Sequence, residues 1–127
     1  MKGEWKMIIE TEKHTFEVKL CDSHAAGNLV KTLPQEISMS RWGDEFYGTL
    51  KEKVECGDDS LGDVFEIGDV ALWPVGNALC IFFGPTPASA GSEPRMASPG
   101  ALVGRITGDA AVLRGCGTSL KKVRILP

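Results

Sequence analysis

The chain lacks a basic cluster and a long apolar run. Fourteen Lys and Arg against 17 Asp and Glu give a formal net charge of −3. Such a chain has no electrostatic footprint for nucleic acid or for an anionic membrane surface. The longest apolar run covers residues 78–83, and it is far too short to span a membrane. We therefore expect neither nucleic acid nor a membrane among the partners.

The first residues also lack the features of a targeting segment. Residues 7–9 are the only apolar stretch near the start, and no small-residue cleavage site follows them. A signal peptide requires both of these features. The sequence therefore predicts a cytoplasmic protein.

Motifs for common kinds of catalysis are missing as well. The two histidines, His14 and His24, have no Ser, Cys or Asp at the spacing of a nucleophilic site. No HExxH, GxSxG, P-loop or GxGxxG motif occurs. The four cysteines are widely spaced and form no CxxC pair, which argues against a zinc ribbon or a thioredoxin-type site. We expect free thiols, no metal and no cofactor.

What the chain does have is the composition of a folded domain. Hydrophobic residues make up 43% and charged residues 24%, which are proportions of globular rather than disordered proteins. A length of 127 residues predicts one domain, residues 1–127.

Alternation of apolar and polar residues recurs along the chain. A period of two is typical of strands with one buried face, and eight short strands predict a sandwich or barrel. The predicted strands cover residues 5–9, 16–20, 36–42, 45–51, 69–73, 78–83, 102–106 and 122–126.

One segment, residues 23–34, has helical spacing instead. Ser23 is a good N-cap, the apolar positions fall on one face, and Pro34 ends the pattern. We expect a short helix that covers one end of a barrel. Residues 84–100 are rich in Pro, Gly, Ala and Ser and are predicted to form a long loop. Such a loop either has a function or simply connects two strands.

Residues 41–47 are the first candidate for a ligand site. Arg41, Trp42, Glu45 and Tyr47 lie within seven residues, around Gly43. By strand parity, Arg41, Glu45 and Tyr47 share one face unless a bulge intervenes at Gly43. These side chains then line either a ligand pocket or a salt-bridged barrel mouth.

Two further segments supply aromatic and polar groups. Trp73 stands near the end of a predicted strand, where its ring forms either the wall of a groove or part of the core. Phe82 and Phe83 point to opposite faces of their strand, so one of them belongs to the interior. Thr86 lies between Pro85 and Pro87 and offers a hydroxyl.

Several segments together resemble the small cyclophilin-like β-barrel proteins of prokaryotes. The resemblance covers nearly the whole chain, and the spacing WP-x-G…FFG-x-TP is fairly specific. It implies a mainly β fold: a closed eight-stranded barrel with one short α-helix near the N-terminus. The segments that carry it are RWGDE at 41–45, EIGDV at 66–70, WPVG at 73–76 and ALCIFFGPTP at 78–87.

The resemblance also implies distant kinship to the peptidyl-prolyl isomerases. Those enzymes bind proline in an aromatic groove beside the barrel, and an arginine stabilises the twisted peptide bond. Gly104 matches a glycine of one of their strands, and Phe82 or Phe83 matches the phenylalanine of their proline pocket. Leu33 stands where their catalytic arginine belongs, which leaves Arg41 as the nearby substitute.

Three functions follow from these residues. The first is a binding module that holds a peptide or small molecule with Arg41, Trp42, Glu45, Tyr47, Trp73, Phe82 and Thr86. The second is a peptidyl-prolyl isomerase in which Arg41 is the catalytic donor. The third is a structural protein whose aromatic residues form the interface of a homo-oligomer.

Overall fold

The computed structural model describes residues 5–127 and shows a mainly β protein. Residues 1–4, on which the expectation about a signal peptide partly rests, lie outside the described residues. Among the described residues, no helix is long and apolar enough to cross a membrane. The strands are β1 (Lys6–Glu10), β2 (Thr15–Leu20), β3 (Gln35–Arg41), β4 (Glu45–Thr49), β5 (Gly62–Val64), β6 (Asp69–Trp73), β7 (Ala78–Phe82), β8 (Arg95–Ile106) and β9 (Ser119–Leu126).

Eight of the strands close into an antiparallel barrel, which confirms the predicted fold. The hydrogen-bonded order is β2-β1-β9-β3-β4-β7-β6-β8, and pairing of β2 with β8 completes the circle. The remaining strand, β5, pairs only with the first half of β8. Because β8 has 12 residues, its second half remains available to β6 and β2.

A single α-helix, α1 (His24–Val30), follows the first hairpin as expected. Its N-cap is Ser23, whose hydroxyl accepts a hydrogen bond from the Ala26 N–H. Its apolar residues Ala25, Ala26 and Leu29 belong to the same buried cluster as the barrel interior. The helix ends at Val30, earlier than the predicted Pro34, and a cis peptide bond at Leu33–Pro34 precedes β3.

Buried apolar residues form two clusters on opposite faces of the sheet. The larger cluster fills the barrel and includes Phe46 and Phe83, whose rings stack at 5.6 Å. The smaller cluster lies on the outer face of β4, β6, β7 and β8, and its members are Phe65, Ala71, Cys80, Phe82 and Met96. Strand β7 is buried along its whole length for this reason, and this explains its continuous apolar sequence.

Several local predictions were wrong. The predicted loop at 84–100 is shorter, because Arg95 to Gly100 form the first half of β8. Strand β5 and a 3₁₀ helix at Ala110–Gly115 were not predicted. All three errors concern segments without a clean period of two. Their structure depends on partners distant in sequence, such as the β5–β8 pairing.

The expected common face of Arg41, Glu45 and Tyr47 was also wrong. Residues 42–44 form a turn between β3 and β4, and Gly43 has a φ of +62°. Arg41 pairs with Phe46 across the hairpin, and paired residues of antiparallel strands share a face. Arg41 therefore lies on the interior side with Phe46, while Glu45 and Tyr47 face outward.

Candidate functional site

A pocket of about 280 Å³ opens on the outer face of the barrel, above the smaller buried cluster. Strands β4, β6 and β8 and the turn before β4 supply its walls. Four of the seven predicted ligand-binding residues line it, although they come from two distant segments. The lining residues are Trp42, Glu45, Tyr47, Trp73, Met96 and Ala97.

Glu45 is the unusual residue of this pocket. It is 3% exposed, and its Oε1 atom is the only buried side-chain oxygen or nitrogen of the described residues that has no hydrogen-bond partner. Burial disfavours the charged carboxylate and raises its pKa from 4.5 to about 7. A buried polar atom without a partner costs free energy, and native proteins usually avoid this arrangement.

The Cys80 thiol is a second titratable group that contacts the Glu45 carboxyl. Cys80 is 1% exposed and stands opposite Tyr47 on β7. Its contact with the carboxyl lowers the pKa of Glu45, but less than burial raises it. Burial, together with the charge of Glu45, raises the pKa of the Cys80 thiol well above its usual value. The thiol is therefore protonated and inert at neutral pH.

Trp73 forms one wall and is fixed in place by two contacts. Its indole Nε1 donates a hydrogen bond of 2.7 Å to the Ser98 hydroxyl. A side chain at Gly76 would come within 2.8 Å of the Trp73 ring, so the ring packs directly on the glycine backbone. This wall is held in one orientation by the protein itself.

Phe82 supports the pocket from below and does not line it. The residue is completely buried, and its ring stacks on Phe65 with the centroids 4.9 Å apart. Phe82 pairs with Glu45 across β4 and β7. Phe83 is the residue that faces the barrel interior, which answers the question left open by the sequence.

Arg41 lies outside the pocket, and its guanidinium group makes four hydrogen bonds within the chain. It donates to Asp44 Oδ1 at 2.9 Å and to the carbonyl oxygens of Gly43, Arg114 and Gly117 at 2.8, 3.0 and 3.3 Å. The group also lies 5.0 Å from the centre of the Phe83 ring. These contacts fix the turn before β4 to the 3₁₀ segment.

Thr86 is likewise placed away from the pocket. Its hydroxyl donates to the Arg95 carbonyl oxygen, and its N–H donates to the Ser89 hydroxyl at 2.9 Å. The segment packs tightly against Gly43, where an added side chain would lie 2.8 Å from the Thr86 Cα atom. Thr86 therefore holds the loop against the β3–β4 turn.

Four residues of the site were not identified from the sequence. Met96 and Ala97 line the pocket, Ser98 holds Trp73, and Phe65 stacks beneath Phe82. The first three lie in the segment expected to be a loop. The alternation Met96, Ser98 and Gly100 in that segment is a weak signal, and Pro99 masks it.

No group of three or more His, Cys, Asp or Glu side chains in residues 5–127 is arranged to hold a metal ion. The site therefore consists of one buried carboxyl, three aromatic side chains and an apolar floor. This arrangement can enclose a small ligand and form one strong polar contact with it.

Comparisons with known proteins place this architecture in a family. The family model for cyclophilin-like proteins matches residues 5–125, and the chain belongs to this family. The solution structure of a hypothetical protein from Archaeoglobus fulgidus is similar, with 33% sequence identity and a TM-score of 0.80. The match covers 98% of this chain and 95% of that one. None of the curated proteins compared with the chain matches it.

Proposed function

We propose that this cyclophilin-like protein is a binding module that holds a small molecule or a short peptide segment in the outer-face pocket. The observation that carries the proposal is Glu45, a buried carboxyl with one oxygen atom lacking a partner. A ligand that donates a hydrogen bond to Oε1 would remove this cost. The free energy of that contact would then contribute to binding.

The form of the pocket supports a small ligand. A volume of about 280 Å³ lies just below the range of typical ligand pockets. Trp42, Tyr47 and Trp73 are each partly exposed, so their rings offer apolar area that a ligand can cover. The Trp73–Ser98 hydrogen bond holds one ring in place before binding, and preorganisation of this kind favours affinity.

Catalysis of proline isomerisation has less support. An isomerase mechanism would need Arg41 to donate a hydrogen bond to the twisted amide. The Arg41 guanidinium already donates four hydrogen bonds within the chain. An uncatalysed barrier of about 20 kcal/mol needs a well-placed donor. No Arg, Lys or His is among the described residues that line the pocket.

The oligomer alternative has less support than the binding module, because it depends on aromatic residues that form an exposed interface. Trp42, Tyr47 and Trp73 line a concave pocket, whereas Phe82 is fully buried. The cytoplasmic location indicated by the sequence stays a prediction.

The test is an NMR titration of isotopically labelled protein with Ala-Pro peptides and with a set of small amines, amides and alcohols. The proposal predicts saturable shifts at Trp42, Tyr47 and Trp73, without faster exchange between cis and trans proline. Faster exchange that persists in Arg41→Ala would assign catalysis to the pocket itself. Absence of saturable shifts with every probe would contradict the proposal.

A matched pair of variants separates a pocket effect from a general one. Trp42→Leu removes a pocket wall and is expected to weaken binding about tenfold. Trp5→Leu is the same substitution at a residue packed against the interior cluster, and binding should be unchanged. Equal losses in both variants would show that binding depends on stability rather than on the pocket.

A further inference from the structure

The charge of the pocket has one sign only. Its lining contains the Glu45 carboxyl and no basic side chain. The two basic residues adjacent in sequence to the lining are Arg41 and Arg95. Arg41 forms an ion pair with Asp44 at 2.9 Å, and Arg95 forms ion pairs with Asp63 at 3.1 Å and Glu93 at 3.2 Å. An anionic ligand would therefore find no partner in the pocket, whereas a cationic ligand would find a carboxylate.

The aromatic walls favour the same sign of charge. The face of an aromatic ring carries negative electrostatic potential and attracts a cation within about 6 Å of its centre. Trp42, Tyr47 and Trp73 all line this pocket together with Glu45. Several aromatic rings around one acid suit an alkylated ammonium ion, because both its charge and its apolar groups are accommodated.

A neutral ligand would not offset the free-energy cost of burying the charged Glu45 carboxylate. An amide or alcohol can donate a hydrogen bond to Oε1 of Glu45, but it brings no positive charge to offset the burial of a carboxylate. Only a cation satisfies the unpartnered atom and also stabilises the charged form of the acid.

We propose that the ligand of this pocket is a small organic ammonium ion with at least one N–H group and short alkyl substituents. On binding, the Glu45 side chain turns so that Oε1 reaches the pocket and accepts a hydrogen bond from the N–H group, and the alkyl groups pack on the rings of Trp42, Tyr47 and Trp73. This inference rests on the proposed binding function and narrows it to one chemical class.

The proposal has a consequence for pH. Two titratable groups face Glu45: the Cys80 thiol from β7 and the Tyr47 hydroxyl from β4. The residues that β6 and β8 contribute do not ionise; they are Ala71, Trp73, Met96 and Ala97. Because the pKa of Glu45 is raised to about 7, the cation displaces a proton when it binds below that pH. Affinity then rises about tenfold per pH unit below about pH 7 and is constant above it.

The test is isothermal titration calorimetry with three compounds of similar size: trimethylammonium, tetramethylammonium and tert-butanol. Trimethylammonium has the charge and the N–H group, tetramethylammonium has only the charge, and tert-butanol is neutral. We expect trimethylammonium to bind most tightly, tetramethylammonium about tenfold more weakly, and tert-butanol without measurable affinity. Between about pH 5 and about pH 8, the affinity for trimethylammonium should rise about 100-fold.

Two variants provide the matched control. Glu45→Gln should lose at least about tenfold in affinity for trimethylammonium together with the pH dependence. Glu36→Gln removes the same charge from an exposed position on β3 and should behave like the wild type. Proton release by the wild type, measured in two buffers of different ionisation enthalpy, requires no variant to fold.

Each contrary outcome has a distinct meaning. Affinity of tert-butanol equal to that of trimethylammonium, or affinity that does not change with pH, would overturn the ammonium assignment. If an Ala-Pro peptide shifts the pocket resonances and no amine does, the ammonium assignment fails and the binding module stands. If neither class shifts them, both proposals fail.

Discussion

Two buried carboxyls of this barrel differ in what surrounds them. Asp69, at the start of β6, is 4% exposed; its two oxygen atoms accept hydrogen bonds from Arg105 Nε at 2.9 Å and from the Glu66 N–H at 2.8 Å. Glu45, at the start of β4, is 3% exposed, yet one of its oxygens has no partner. The two residues are equally buried, but only Asp69 is fully paired.

The difference distinguishes a structural acid from an acid available to a ligand. Asp69 holds the turn before β6 and the neighbouring strand β8, so its interactions are complete within the chain. Glu45 gains nothing comparable from the fold, and its raised pKa reflects this. We infer that burial with an incomplete set of partners, rather than burial alone, marks a candidate ligand site.

The largest expected effect is the difference between the wild type and Glu45→Gln in how the free energy of unfolding depends on pH. The folded-state pKa of Glu45 is raised above its ordinary value of 4.5 to about 7, so the folded protein binds the proton more tightly than the unfolded chain. The contribution of Glu45 to stability is then greatest below about pH 4.5 and falls as pH rises to about 7. Relative to Glu45→Gln, the loss in free energy of unfolding is about 3 kcal/mol.

Urea unfolding of both proteins across this pH range measures the difference, and effects of other groups cancel in the comparison. A constant difference between the two proteins from pH 4.5 to 7 would show that Glu45 titrates normally and is not poised for a ligand.

The second prediction tests the paired acid. Asp69→Ala removes two charge-assisted hydrogen bonds and is expected to lower the free energy of unfolding by about 2 kcal/mol, with ligand binding unchanged. Asp63→Ala is the matched control, because Asp63 pairs with Arg95 at a more exposed position and should have little effect. A neutral result for Asp69→Ala would remove the contrast between the two buried acids.

The third prediction concerns Arg41, a cation that is paired within the chain as Asp69 is. Arg41 makes four hydrogen bonds within the chain, so for Arg41→Ala we expect a loss of about 1.5 kcal/mol in stability and nearly unchanged ligand affinity. Thermal unfolding and the NMR titration together check this. Unchanged stability with lost binding would instead restore Arg41 to the ligand site, as the sequence first indicated.

The smallest expected effect concerns the wall of the pocket. Ser98→Ala removes the acceptor of the Trp73 indole, which is partly exposed and can turn toward water. We expect less than about 1 kcal/mol of destabilisation and a loss of a few-fold in ligand affinity, because the ring is less well oriented. Ser92→Ala, at an exposed loop position, should change neither quantity.

Most of the fold was predictable because the interior imposes a clean period of two. Most barrel strands follow from alternation, whereas β6 and β7 follow from short apolar runs that are buried on both faces. The helix α1 follows from its helical spacing and from the N-cap Ser23. Strand β5 was not predictable, since three residues with an exposed-intermediate-exposed pattern carry no period. Its position depends on the first half of β8, where Pro99 conceals a strand.

The site was predictable in its residue types but not in its grouping. Trp42, Glu45, Tyr47 and Trp73 were identified and lie together. Arg41 was expected in the site from strand parity, which the turn at Gly43 interrupts. Thr86 was expected there for its hydroxyl, which instead donates to the Arg95 carbonyl oxygen. Partner satisfaction, which separates Glu45 from Arg41, depends on three-dimensional contacts and cannot be read from residue type.

The central proposal is that a ligand supplies the missing partner of the Glu45 carboxyl, which is buried in an aromatic pocket with one oxygen unpartnered. The most direct measurement is a carbon-13 NMR titration of the Glu45 side-chain carboxyl, without and with trimethylammonium. We expect the titration of the Glu45 carboxyl to have a midpoint near pH 7 in the free protein and a clearly lower midpoint when the cation is present. A midpoint near the ordinary value of 4.5 in both conditions would contradict it.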